Sequence, residues 1–513
     1  MLKHEVVNII NFIRACEPRA PMDLVTPVKE QIKLIEKHNL CGTFLMQYDA
    51  LIDPQFVELM KGLDPTRFEI GVWHETVEPE VKAAGLEWTG RFPWDWHAHC
   101  GFSVGYTKEQ REKLCDVLFE KFKEVFGYYP RVFGSWLFDS HTIRYISDKY
   151  GLDAICNCKE QYGTDGYTLW GGYYGQGYYP SRTNCFMPAQ TKEEQIPAPL
   201  FRMLGSDQVY QYDFGMDRDS GAAGVQGVIT LEPVYCGNSG GGGVPKWVDW
   251  YLRENFNGEC LSFGYTQAGQ ENSFGWDSMK NGLNYQFARF ERLRDEGKIT
   301  VETLGETGRR YKATYETTPA STITAHSAFN DENKKSVWYS SRFYRTNVYI
   351  DGVVRLRDLH LFSEKFPDPF ENTICEANEA TYETLPIADG NRHSGNGTVA
   401  GIYLIGEDGQ DVTAEDFNFT DAGNGCALLE FDGTTITLRE NSIRIERTSP
   451  FRLENRIGKK NDHVPTLISA GESEIVLEYS GIKYKITLRS GKFENAVTAC
   501  SCGNVIEAEF GII

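Results

Sequence analysis

Residues 67–81 read RFEIGVWHETVEPEV and residues 129–152 read YPRVFGSWLFDSHTIRYISDKYGL. Two apolar runs inside them, Phe68–Trp73 and Val132–Phe138, each stop abruptly at ionisable residues. Strands that deliver side chains to the mouth of a parallel α/β barrel end in this way. Between the runs lies WDWHAHCGFSVGYT, residues 94–107. The stretch from Arg67 to Leu152 holds four of the chain's ten histidines, His74, His97, His99 and His141. It also holds Glu75, Asp95 and Asp139, with Trp73, Trp94, Trp96 and Trp136.

Working outward, Val6–Ile13 is rich in Val and Ile, as a strand buried on both faces should be, and ends in Arg14 and Glu17. Thr26 as N-cap and Pro27 as first helical residue open a helix. Gly42–Tyr48 and Glu69–His74 give the second and third strands, with a short helix at Pro54–Met60. Gly85–Thr107 is a tryptophan-rich insertion of the kind active-site loops make. Thr107 and Gln110 form a capping box for a helix that Gly127 closes. Val132–Leu137, Asp153–Cys158, Pro199–Leu204 and Cys260–Tyr265 supply strands four to seven, and Met279–Glu296 is the closing helix. Seven strands alternating with helices imply a (β/α)7 barrel over residues 1–313. From about Thr314 short strands alternate polar and apolar residues, with turns at Asp351-Gly352, Asp432-Gly433 and Ser480-Gly481. That pattern implies a C-terminal antiparallel β-sandwich over residues 314–513.

The composition excludes some functions. Of 513 residues, 52 are Lys or Arg and 72 Asp or Glu, a formal charge of −20. This opposes binding to nucleic acid or to an anionic membrane. A small-molecule or oligosaccharide substrate suits it better, and a homo-oligomer stays open. The apolar N-terminal run lacks a small-residue cleavage site, and no segment approaches the roughly 20 apolar residues of a membrane span. The thirteen cysteines are scattered without a CxxC pair. Free thiols in a reducing, cytoplasmic setting follow. The glycine-rich run Cys236–Val244 lacks a P-loop's GK[ST] ending and is a plain loop.

The runs WHAHCGFSVGYT, FGYYPRVFGSWLFDSHT, CNCKEQYGTDGYTLWGGYY, YYPSRTN, FRMLGSD and GQENSFGW resemble the glycoside hydrolase/deacetylase superfamily. Polysaccharide deacetylases and several glycosidase families belong to it, all on a seven-stranded barrel. Within it these runs are similar to a group of bacterial glycoside hydrolases of unknown specificity. The resemblance covers most of the barrel. It implies a carbohydrate-active hydrolase whose fourth and seventh strand ends carry the nucleophile and the general acid. Those ends hold Asp139 and Glu271 here. The deacetylase pattern of a TFDD first strand, an H[ST]xxxH motif and an RxPY strand is not kept. The corresponding positions are Arg14-Ala15-Cys16-Glu17, His74-Glu75 and Gly134-Ser135-Trp136.

The candidate site follows. Asp139 and Glu271 are the expected carboxylate pair, with Glu75 as a further base. Asp139 equally suits the N-cap of the helix behind it. Arg14, Glu17, His74, His97, His99, Trp96, Trp136, His141, Asp165, Trp170 and Asp207 are the expected substrate contacts. The stretch Gln161–Pro180, QYGTDGYTLWGGYYGQGYYP, is expected to wall a sugar site. His97 and His99, if extended, project to one face. No cofactor is favoured, and a divalent metal held by His74, His97 and His99 is the alternative, serving sugar deacetylation. A non-catalytic glycan-binding protein is the third reading. Two facing carboxylates support the first, histidine ligands the second, and carboxylates locked in ion pairs the third.

Overall fold

The computed structural model describes residues 5–158, 160–203, 205–210, 229–238 and 240–513. Met1–His4, Leu204 at the end of the expected sixth strand, and Ser239 of the glycine-rich loop lie outside the described residues.

The N-terminal part is a curved parallel sheet flanked by helices. Its strands are β1 (Val6–Ile13), β2 (Gly42–Met46), β3 (Phe68–Trp73), β4 (Val132–Ser135) and β5 (Ala154–Asn157). A hairpin of β6 (Gln161–Thr164) and β7 (Tyr167–Leu169) follows, then β8 (Gly177–Tyr178), β9 (Leu200–Arg202), β10 (Tyr265–Ala268) and β11 (Thr300–Glu302). The sheet runs β10-β1-β2-β3-β4-β5-β9-β8, with β11 also on β1. All of these neighbours are parallel except β8, which turns back on β9. Among the described residues no ladder joins β9 to β10, so the sheet is a half-barrel. The expected seven strands are present, but the ring is not closed by hydrogen bonds.

Side-chain parity builds two cores. In β1, Val6, Ile10 and Phe12 point into the curve and pack with Leu45, Trp73 and Trp136. Val7, Ile9 and Ile13 point out and meet Val28 and Ile35 of the helix Val25–Lys37. Phe12 stacks on Trp73 at 4.1 Å, and Trp136 meets both edge-on. Gly134 makes room for them, since a Cβ there would lie 2.8 Å from Trp73 and 2.6 Å from Leu45.

Two local expectations shift. The helix expected to start after Thr26 starts at Val25, because Asp23 Oδ1 accepts from the N–H groups of Val25 and Thr26. The seventh strand lies at Tyr265–Ala268, not Cys260–Tyr265. Ser262 has a left-handed backbone (φ 55°), outside the extended region that non-glycine strand residues occupy.

The C-terminal part is antiparallel. A 9-stranded sheet and an 8-stranded sheet share one apolar core, with Val337 and Val348 from the first meeting Leu429 and Ile436 from the second. Between Leu361 and Leu385 the chain leaves this core and crosses back over the N-terminal part. Asp368 N donates to Thr183 O, Cys375 N to Val104 O, and Ala98 N to Asn378 O, each at 2.8 Å. Ala380–Tyr382 then pairs in parallel with β7. This strap is sequence-distant and has no pattern that announces it. All thirteen cysteines are free. Among the described residues no helix is long and apolar enough to cross a membrane.

Candidate active site

The parity that turns Phe12 and Trp73 inward carries two residues further. Arg14 and Glu75 therefore face the interior where β1 and β3 end, and Glu271 joins them from beyond β10. Arg14 Nη2 donates to Glu75 Oε2 at 2.9 Å and to Glu271 Oε2 at 3.0 Å. Trp73 Nε1 donates to the same Glu75 oxygen at 2.8 Å. Ser273 Oγ donates to Glu271 Oε1. Arg14 lies over the ring of Trp94 at 4.0 Å. Asn272 fixes the loop, its Oδ1 accepting from Arg14 N and its Nδ2 donating to Arg14 O.

All three charged groups are buried. Burial pushes the Glu75 carboxyl up to about 7, against the pull of Arg14 and with the push of Glu271. Burial also raises Glu271, opposed by Arg14 and the Ser273 hydroxyl. For Arg14 burial works the other way, but Glu271, Glu75 and Glu17 outweigh it and hold the guanidinium charged. Four buried polar atoms here lack a hydrogen-bond partner: Arg14 Nε, Arg14 Nη1, Glu75 Oε1 and Trp94 Nε1.

A rim covers this centre. Glu17 lies 3.8 Å from Arg14 and is clasped by Arg19 at 2.7 and 2.8 Å. Arg19 reaches Asp165 at 3.5 Å and lies over Trp94 and Trp96. Asp165 sits at the tip of the β6–β7 hairpin in a left-handed conformation (φ 43°). The strap pins that tip, with Ala380 N donating to Gly166 O. Of the expected site residues, Arg14, Glu17, Glu75, Trp96, Asp165 and Glu271 are thus brought together. Trp136 lines the interior below. Sequence reasoning missed the parts played by Trp73, Trp94, Ser273 and Arg19, although Trp73 and Ser273 each stand two residues from a glutamate of the site.

The other expected residues lie elsewhere. Asp139 caps the helix Ser140–Tyr150, its Oδ1 accepting from Thr142 N. Its Oδ2 accepts from Ser103 Oγ and Thr142 Oγ1, and Arg111 Nη1 lies 2.9 Å from Oδ1. Both oxygens are engaged and fully buried, so of its two expected roles the geometry fills the N-cap. Burial pushes its pKa up, but Arg111 and the hydroxyls prevail and hold it low. His74, one residue before the inward Glu75, points outward to the helices and faces Glu80 at 3.3 Å. His97 caps and His99 lies within a helical turn, Ala98–Gly101, instead of an extended segment. His97 turns to Asp95 at 3.7 Å. Among the described residues the three histidines therefore bring no common set of ligand atoms together, and they do not fit the alternative of a metal. His141 pairs with Glu112 on the helical surface. Asp207 is buried, accepting from Val209 N, Tyr210 N and Trp247 Nε1.

Beyond the hairpin tip, the tyrosine stretch packs against the C-terminal sheets. Trp170 Nε1 donates to Asp389 at 2.7 Å, Tyr174 stacks on Trp338 at 4.0 Å, and Tyr173 bonds Pro319 O and Ser321. It joins the N-terminal part to the C-terminal sheets. Beneath it Asp358, His360 and Asp389 place their side-chain atoms within 4.8 Å of one another, the geometry of a metal site. Arg345, however, takes both oxygens of Asp358 at 3.0 Å. Asp389 accepts from Asn391 N, Arg392 N, Trp170 and His360. A guanidinium and four donors already do what a cation would do there, so this cluster does not fit a metal either.

No protein-family model matches the chain, and no curated protein does. Solved structures match, and they define a fold class: the half-barrel with its flanking helices is that of glycoside hydrolase/deacetylase structures. One from Parabacteroides distasonis, described provisionally as a glycoside hydrolase/deacetylase, overlays with a TM-score of 0.55 at 13% identity, over 75% of this chain and 91% of that one. A protein from Mycobacterium smegmatis, described provisionally as a polysaccharide deacetylase, matches at 14% identity and TM-score 0.36, over 61% of this chain and 92% of its own. At such identities the likeness is one of fold.

Proposed function

We propose that this chain is a carbohydrate-active hydrolase that cleaves glycosidic bonds with Glu75 and Glu271. The observation that carries this is the shared Arg14 nitrogen. Two oxygens hydrogen-bonded to one atom lie at most about 6 Å apart, a limit that accommodates the roughly 5 Å separation of a retaining pair. Glu75 keeps its proton and serves as general acid, because its free Oε1 meets no donor and its surroundings are aromatic. Glu271 has both oxygens engaged by donors, which favours its ionised form, and it attacks the anomeric carbon. A sugar carbon would form an ester with Glu271 as Glu75 protonates the departing oxygen. Glu75, then ionised, would take a proton from water as the ester is hydrolysed. The fold likeness to glycoside hydrolase/deacetylase structures supports the substrate class. Asp139 leaves the pair in this reading, and Glu271 changes from acid to nucleophile.

The test is a panel of aryl glycosides with the wild type, Glu75→Gln and Glu271→Gln. Turnover of one glycoside, lost in both variants while their melting is kept, supports the reading. Turnover undiminished in either variant removes it. The ion pairs of Arg14 with both acids favour a second reading, a non-catalytic glycan-binding protein. Binding of a sugar without turnover of any glycoside selects that one.

A further inference from the structure

We infer that this site takes the end of a glycan, a terminal neutral sugar read through its hydroxyls; the inference rests on the carbohydrate reading above. Three features carry it. The first is the unpartnered atoms. Arg14 Nε, Arg14 Nη1 and Trp94 Nε1 are donors, and Glu75 Oε1, which carries the proton in the reading above, is a fourth. An unmet buried polar group is costly, so a ligand that meets all four is strongly favoured. Hydroxyls on adjacent ring carbons do so, because each one both donates and accepts.

The second feature is what the aromatic rings already hold. Arg14 and Arg19 lie over Trp94 at 4.0 and 4.7 Å. Arg91 and Arg19 lie over Trp96 at 4.8 and 5.5 Å. These faces are taken by guanidinium groups. Recognition therefore falls to the polar edge of the sugar and not to its apolar face. Glu17, Glu75, Glu271 and Asp165 surround the centre against Arg14 and Arg19. A uronate or a sugar phosphate would bring a further negative charge among these carboxylates.

The third feature is the enclosure. The Arg14, Glu75 and Glu271 side chains are 2%, 1% and 6% exposed, whereas Arg19 and Asp165 above them are 40% and 35% exposed. The loop after β1, the tryptophan loop, the hairpin tip and the strap are bonded to one another above this centre. A polymer lying across an active site needs a groove open at both ends. Here a sugar enters end-on, beside the Arg19–Asp165 pair.

The test has a binding arm and a product arm. Ligand-observed NMR is run with methyl glycosides of neutral hexoses and pentoses and with glucuronic and galacturonic acids. Saturable binding of a neutral glycoside, weakened about tenfold or more in Glu75→Gln and in Trp94→Phe, supports the inference. Trp94→Phe keeps an aromatic ring while removing the Nε1 donor, so it serves if the first variant is unstable. Uronates binding as well as neutral sugars, or no neutral sugar binding, overturns it. In the product arm, oligosaccharides of defined length are followed by chromatography. Release of single sugars from one end supports the inference. Cleavage at internal bonds overturns it while leaving the hydrolase reading intact. Neutral-sugar binding without any cleavage does the reverse.

Discussion

Glu75 Oε2 and Glu271 Oε2 accept from one nitrogen of Arg14, at 2.9 and 3.0 Å. A single guanidinium N–H₂ thus faces two acids in a buried setting, where two full negative charges are hard to hold together. The arrangement is unequal. Glu271 Oε1 has the Ser273 hydroxyl, and Glu75 Oε1 has nothing. On the proposed reading the proton resides on Glu75, which burial pushes up to about 7, and each acid takes a distinct part.

The pH profile should report this. Glu75 is pushed up to about 7 and works only while protonated. The rate constant kcat/KM on an aryl glycoside with a poor leaving group should fall as pH rises through about 7. Trp73 bonds the ionised form and so lowers that value. In Trp73→Phe the alkaline limb should move to higher pH. A limb that stays in place, or moves down, would show that another group sets it.

Replacing Asp139 should cost stability. Asp139→Asn leaves Arg111 buried with only carbonyl partners. Breaking a buried ion pair from one side typically costs about 3–5 kcal/mol. Urea unfolding of Asp139→Asn should show a loss of that order, whereas Glu75→Gln should unfold near the wild type. Equal stability of Asp139→Asn together with lost turnover would return Asp139 to the chemistry.

Arg345→Met tests the joint between the two parts. Arg345 holds Asp358 at 3.0 Å and Glu160 at 2.5 Å, all three fully buried. Its removal strands two carboxylates, and a loss of about 3–5 kcal/mol or more is expected in chemical denaturation. A variant as stable as the wild type would mean that these carboxylates find protons or water at little cost.

A second joint should be sensitive to alkali. His326 bonds Glu259 at 2.7 Å and Asp416 at 3.0 Å. These hydrogen bonds raise its pKa from 6.5 to about 9, against the pull of burial. A raised histidine stabilises the fold fully below 6.5, and that contribution fades as pH rises through about 9. Melting curves of wild type and His326→Gln should differ most below pH 6.5 and converge above pH 9. The partly exposed position keeps the difference near 1 kcal/mol or below. A gap that widens with pH would contradict this.

Much of the site was legible in the sequence, for a reason visible in β1 and β3. Abrupt ends of apolar runs mark strand termini, and alternation puts Arg14 and Glu75 on the inner face with Phe12 and Trp73. Glu271 was legible in the same way, although its strand starts later than the apolar run suggests. The part of Asp139 was not, because a strand-end acid and an N-cap acid look alike in sequence, and only Arg111 and Ser103 decide between them. HxH implied a shared face only for an extended backbone, and the turn at Ala98–Gly101 removed that condition. The aromatic stretch around Trp170 has a sugar-site composition. Its partners Trp338, Asp389 and Ser321 lie more than a hundred residues away, beyond the reach of any local pattern.

The strap gives the protein an order of assembly. Ala380–Tyr382 completes the small sheet that holds Asp165 over Arg14 and Glu75, yet it is made more than two hundred residues after β7. On a ribosome the half-barrel can collapse early, but its opening is finished only when the C-terminal sheets have been synthesised and docked. On the proposed reading, sugar binding at the Glu75–Glu271 centre would therefore emerge late in the life of the nascent chain, and a premature stop before Ala380 would leave the Asp165 tip without the strand that pins it.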